Sequence, residues 1–82
     1  MTITTSEVEV EDARKLLGFF NEPGGYTPGG FSSALIEAML RADQTNLALL
    51  RVVYPSLGLA VHLYKNVPGG LDQLTELVNS HP

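Results

Sequence analysis

Leu47-Ala48-Leu49-Leu50-Arg51-Val52-Val53-Tyr54-Pro55-Ser56-Leu57-Gly58-Leu59-Ala60-Val61-His62-Leu63-Tyr64 is the stretch that decides the fold. Thirteen of these eighteen residues are apolar; only Arg51, Ser56 and His62 are plainly polar, with Pro55 and Gly58 as punctuation. A helix with one wet face needs a polar stripe, and this block barely has one. It must be wrapped by the rest of the chain, by a second copy or by a partner.

The break inside the block divides it. Asp43 is a good N-cap, so one helix is expected over about 44–53. Pro55, preceded by Tyr54, suits the first position of the next, which runs to about Lys65. Gly58 in its interior costs ~1 kcal/mol relative to alanine. Its presence, with Ser56 and Ala60 nearby, points to a close helix crossing within the monomer or across a two-fold axis.

Upstream, Phe31 to Ala42 reads as a helix. Phe31, Leu35, Ala38, Met39 and Ala42 form one apolar face, widened by Ile36 and Leu40. Glu37 and Arg41 are four apart in the favourable acid-first order. Val10, Ala13, Leu16, Leu17 and Phe20 recur at helical spacing and give a helix over about 9–20. Ser6 and Glu9 have the spacing of a capping box. Leu71, Leu74, Leu77 and Val78 give a last helix over about 70–79. Between these segments Pro-Gly-Gly occurs at 23–25, 28–30 and 68–70. The unequal intervals exclude a repeat architecture and point to reused turn chemistry, proline fixing φ and glycine supplying positive φ. The expected fold is all-α, a small bundle of four to five short helices. A mobile tail is expected over 1–8 and one helical domain over 9–82.

Eighty-two residues bury a small core, and the chain has no cysteine for a disulfide or a thiolate metal site. Small domains without such staples often gain stability by associating. Nine acidic and five basic residues give a net charge of −4. An acidic chain with scattered Arg14, Lys15, Arg41, Arg51 and Lys65 is poorly suited to a phosphate backbone. The first residues lack the basic and apolar regions of a signal peptide, and Arg51, Pro55, Gly58 and His62 interrupt the apolar block as a membrane span. The expectation is a soluble, cytoplasmic protein with no membrane contact.

No catalytic, cofactor or metal signature stands out. The glycines before Phe31 invite an anion site at 29–32 with Ser32 and Ser33 as donors, yet no Gly-Lys-Ser/Thr follows them. His62 has Gly58 and Asn66 four residues away and no nearby acid, so it reads as a structural histidine. The expected chain is not an enzyme: no catalytic residue, no cofactor, no metal. Most aromatics belong to the core. Tyr26, between glycine pairs, is either a lid on the core or an anchor for a partner. The candidate interface is Leu49, Val53, Leu57, Val61 and Tyr64, on the third and fourth helices, and the expected partner is a protein, a second copy (a homodimer) above all. Two alternatives stand beside this reading. One is a helix-turn-helix regulator built on the Tyr54-Pro55 junction, opposed by the lack of base-reading side chains on its second helix. The other is a small-ligand binder or enzyme that combines His62 with the glycine loop.

Gly30-Phe31, Leu35-Ile36, Ala38, Ala42-Asp43, Asn46, Leu50, Tyr54-Pro55, Val61 and Tyr64 form a pattern over about residues 28–65. It resembles one found in a loose group of small proteins from actinobacterial phages and their hosts, for which no activity is established. The resemblance implies a compact phage-type accessory protein that binds a host protein or self-assembles, and it carries no catalytic residue.

Overall fold

The computed structural model describes residues 7–81. Five helices follow in order: α1 (Val10–Phe19), α2 (Gly30–Arg41), α3 (Gln44–Val53), α4 (Pro55–Asn66) and α5 (Gly70–Asn79). The all-α bundle expected from the sequence is the observed fold. α4 is its centre and touches each of the other four helices. The apolar block is therefore wrapped over its second half: Leu57, Gly58, Leu59, Ala60, Val61 and Leu63 are all buried. Leu16 and Leu17 of α1, Ile36 and Met39 of α2, Leu47 of α3 and Leu74 and Val78 of α5 close around them.

Local chemistry explains several boundaries. The Asp43 carboxylate accepts from the Asn46 N–H at 2.8 Å, satisfying one of the orphan donors of α3. Asp43→Ala is expected to cost ~1 kcal/mol, a shift of roughly 4–8 °C in thermal midpoint for a domain of this size. A melting curve that superimposes on the wild type would contradict that assignment. Pro55 opens α4. The C-terminus of α2 is satisfied from a distance: Lys65 Nζ donates to the carbonyls of Met39 (3.2 Å) and Ala42 (2.7 Å), a cation placed where the helix dipole favours it.

Other expectations change. Residues 1–6, including Ser6 of the capping box, lie outside the described residues. Glu9 is itself the N-cap of α1, and its N–H donates to Ser56 Oγ at 2.8 Å, tying the chain to the start of α4. Val8 belongs to the core, so the segment expected to be a loose tail is anchored from there on. In α2 the buried row is Ile36 and Met39, while Phe31 and Ala38 are exposed. The helix is turned from the face that apolar spacing suggested, toward the α4 and α1 helices it packs against.

The three Pro-Gly-Gly triplets are not equivalent. Gly24 and Gly69 have positive φ, at 91° and 75°, as turn chemistry demands. Gly29 does not: it is an extended N-cap with φ −68°, and α2 starts at the next residue. The second glycines differ as well. A Cβ on Gly25 would overlap the backbone of Gly18, and one on Gly70 would overlap the Leu63 carbonyl, whereas Gly30 faces open space. Gly58 lies against α3, where a Cβ would stand 3.1 Å from the Arg51 Cα. The close crossing anticipated at Gly58 is therefore inside the monomer.

Candidate functional site

Four of the large apolar side chains left in solvent form one neighbourhood. On α3, Leu49 is 62% exposed, Val52 78% and Val53 67%, and Phe31 at the start of α2 is 69% exposed. Ala48 and Thr45 are exposed too, so the outer face of α3 carries 45, 48, 49, 52 and 53. That is the i, i+3, i+4, i+7, i+8 spacing of a single stripe. No charged residue lies on it. The opposite side of α3 faces inward through Leu47, with Leu50 and Tyr54 packed against the core. α3 thus has an apolar row on both sides, and only one is covered. Phe31 continues the stripe at its Val53 end, where the two side chains line one groove, and its ring lies 6.2 Å from that of Tyr54. Phe31, Leu35, Val53, Tyr54 and Leu57 line a shared groove rimmed by Glu9, Asp12 and Lys15.

The structure divides the five residues expected to make the interface. Leu49 and Val53 lie on the outer stripe. Leu57 and Val61 do not: both are buried in the core, on the side of α4 that packs against its neighbours. Tyr64 sits at the edge of α4 with its ring stacked on Phe20, centroids 4.5 Å apart, so much of its surface is used within the monomer. Val52 and Phe31 belong to the patch and were not singled out in the sequence. Val52 was hidden in a uniformly apolar block, and Phe31 reads as the first residue of a core face.

Tyr26 stays 41% exposed, yet its side chain and backbone are tied down. Its hydroxyl donates to Glu11 Oε2 at 2.6 Å, its N–H donates to the Arg14 carbonyl at 3.3 Å, and its own carbonyl lies against Gly18. The Glu11 carboxylate that accepts its proton, with burial adding, raises the phenol above its usual value. The loop is strapped further by Arg14, whose guanidinium donates to the carbonyls of Gly24 (3.0 Å) and His81.

His62 lies on α4 in a cleft shared with α3. The walls are Gln44, Leu47, Ala48 and Arg51 on one side and His62 and Asn66 on the other. Its Nδ1 is 3.2 Å from Asn66 Nδ2, with the amide donating when the ring is neutral. The glycine loop contributes nothing to this cleft. Of the serine hydroxyls weighed in the sequence, Ser56 accepts from the Glu9 N–H at 2.8 Å and Ser33 donates to the Pro28 carbonyl at 3.3 Å. Among the described residues no His/Cys/Asp/Glu group of three is placed to hold a metal, and no helix is long and apolar enough to cross a membrane.

Burial first, and the Arg51 charge second, hold His62 below the usual imidazole value. The sign follows by linkage. The unfolded chain takes up this proton near pH ~6.5, while the folded chain resists it. The stability contribution is therefore present above that pH and lost as pH falls through the lowered folded value. A urea midpoint that drops between pH 7.5 and 5.5 is expected, with a shallower drop in His62→Gln. Parallel pH curves for the two proteins would contradict the lowered value.

Compared with known protein families, with curated proteins and with solved structures, the chain matches none. Its site is read from its own geometry.

Proposed function

We propose that this chain is a non-enzymatic protein-interaction module that pairs with a second copy of itself through the outer face of α3. The observation that carries the reading is the uncharged stripe Thr45, Ala48, Leu49, Val52 and Val53, continued by Phe31. An exposed apolar patch of this kind on a small soluble domain marks a contact surface. A second copy suits it for two reasons. The stripe itself holds no charge, so two chains of net charge −4 can meet along it with Glu7, Glu9 and Asp12 at its edges rather than within it. The stripe is also graded, small at Thr45 and Ala48 and bulky at Val52 and Val53. Antiparallel pairing about a two-fold axis sets the small end of one helix against the bulky end of the other, the self-complementarity an isologous contact requires. Five positions on one helix and one aromatic are few beside the ~20–30 residues a side of a standard interface. The dimer is accordingly weak, with Kd between roughly 1 µM and 1 mM.

A helix-turn-helix role finds less support. α4, the helix that would enter a groove, packs against all four other helices. The polar side chains it leaves at least partly open, Ser56, His62, Tyr64, Lys65 and Asn66, include no arginine, while Lys65 is spent on the carbonyls of Met39 and Ala42. A phage-type accessory protein, the source implied by the pattern at 28–65, is the biological setting in which we place this self-association.

Amide shifts followed over a dilution series test the reading. Concentration-dependent shifts should concentrate at 45–53 and Phe31 and spare α5. Shifts centred on α1 or α5, or none at all, would place the contact elsewhere or remove it.

A further inference from the structure

The five cations of the chain have separate fates. Arg14 clamps the loop carbonyls and Lys65 caps α2. Lys15 pairs with Asp12 at 3.7 Å and Arg41 with Glu37 at 3.1 Å. Arg51 alone, among the described residues, has neither a hydrogen bond nor an ion pair. It is half-buried, its stem laid across Gly58, and it lines the α3–α4 cleft with His62, Asn66 and Gln44. No acid lines that cleft. Glu7 borders the adjoining groove on the other side of Arg51 without forming an ion pair with it.

We infer that the α3–α4 cleft is a carboxylate-binding site, with Arg51 as the ion-pairing group and His62, Asn66 and Gln44 as hydrogen-bond donors. The guanidinium presents a planar fork that matches a carboxylate in two parallel bonds. The neutral His62 ring, accepting from Asn66 at Nδ1, carries its proton on Nε2, where it donates. One fixed positive charge matches a monoanion better than a doubly charged phosphate. Leu47 and Ala48 offer apolar wall, which suits a carboxylate on a short hydrocarbon stem. The volume, ≈ 260 Å³, lies just below the range of drug-sized pockets and fits a short free acid or one acidic side chain. Binding places an anion beside the imidazole and so favours its protonation, which makes His62 the reporter of occupancy.

The full-length chain is titrated with N-acetyl-L-leucine, a free acid, and with a capped peptide carrying one glutamate between leucines. The His62 ring resonances and pKa are read by NMR. The expected result is a rise in the His62 pKa with either carboxylate and a loss of affinity of about tenfold or more in Arg51→Gln, in line with a charge-assisted bond. Tighter binding of the free acid assigns a small metabolite; tighter binding of the peptide assigns an acidic side chain of a partner. N-acetyl-L-leucinamide serves as a neutral comparator that needs no mutation. Equal shifts with the amide, equal affinity for inorganic phosphate, affinity retained in Arg51→Gln, or no response to any probe would overturn the inference. The cleft and the α3 stripe share Ala48, yet they fail separately: a monomeric chain that binds the carboxylate loses only the dimer, and a dimer blind to it loses only this site.

Discussion

Gly70→Ala is expected to destabilise the fold by ~3 kcal/mol or more, at the upper end of what overpacking costs. The added Cβ has nowhere to go. It would overlap the Leu63 carbonyl of α4, a backbone atom that no rotamer change can move aside. Gly18→Ala meets the same obstacle in the Tyr26 carbonyl and should behave alike. For a chain of this length total stability is ~4–12 kcal/mol, so either change removes a large share of it. Gly30→Ala is the internal control. It has the same place in a Pro-Gly-Gly triplet, open space around it and a helical backbone, and should be neutral or stabilising by ~0.5–1 kcal/mol through the unfolded state. Urea denaturation of the three variants checks the contrast. Equal midpoints for Gly70→Ala and Gly30→Ala would mean that α4 and α5 are not packed backbone against backbone.

Val52→Glu is expected to weaken self-association by ~30-fold or more while leaving the monomer's stability within ~0.5 kcal/mol of the wild type. The monomer is unaffected because Val52 is the most exposed apolar side chain of α3, and surface changes away from special features cost little. Association suffers because a charge left unpaired in a contact costs ~2–5 kcal/mol, and a two-fold contact includes it twice. The same substitution at Val61 should act in the reverse sense. That side chain is fully enclosed, so a carboxylate there unfolds the chain rather than dissociating it. Sedimentation velocity with thermal melts separates the two outcomes. A Val52→Glu protein that melts far below the wild type would place Val52 in the fold, not on its surface.

The local parts of this architecture were legible in the sequence. Asp43 before an apolar run, proline after Tyr54 and the 70–79 spacing each specify a helix through contacts a few residues apart, and α3 and α5 keep the bounds those signals set. What depended on which helix packs where was not legible. Leu57 and Val61 look like Leu49 and Val53 in sequence. They differ only because that side of α4 packs against its neighbours and the outer side of α3 does not. Phe31 reads as the first core residue of α2, yet the helix is rotated to seat Ile36 and Met39. The isolation of Arg51 emerges only when Lys65 is found 26 and 23 residues from the carbonyls it caps, and when Arg14 reaches across to Gly24 and His81.

Sedimentation equilibrium of the unmodified chain, from low micromolar to about millimolar, tests the central claim that the outer face of α3 is a self-association surface. The expected result is a reversible monomer–dimer equilibrium with Kd between roughly 1 µM and 1 mM, weakened ~30-fold or more by Val52→Glu. A strictly monomeric chain throughout, or a dimer of unchanged affinity in Val52→Glu, would contradict it.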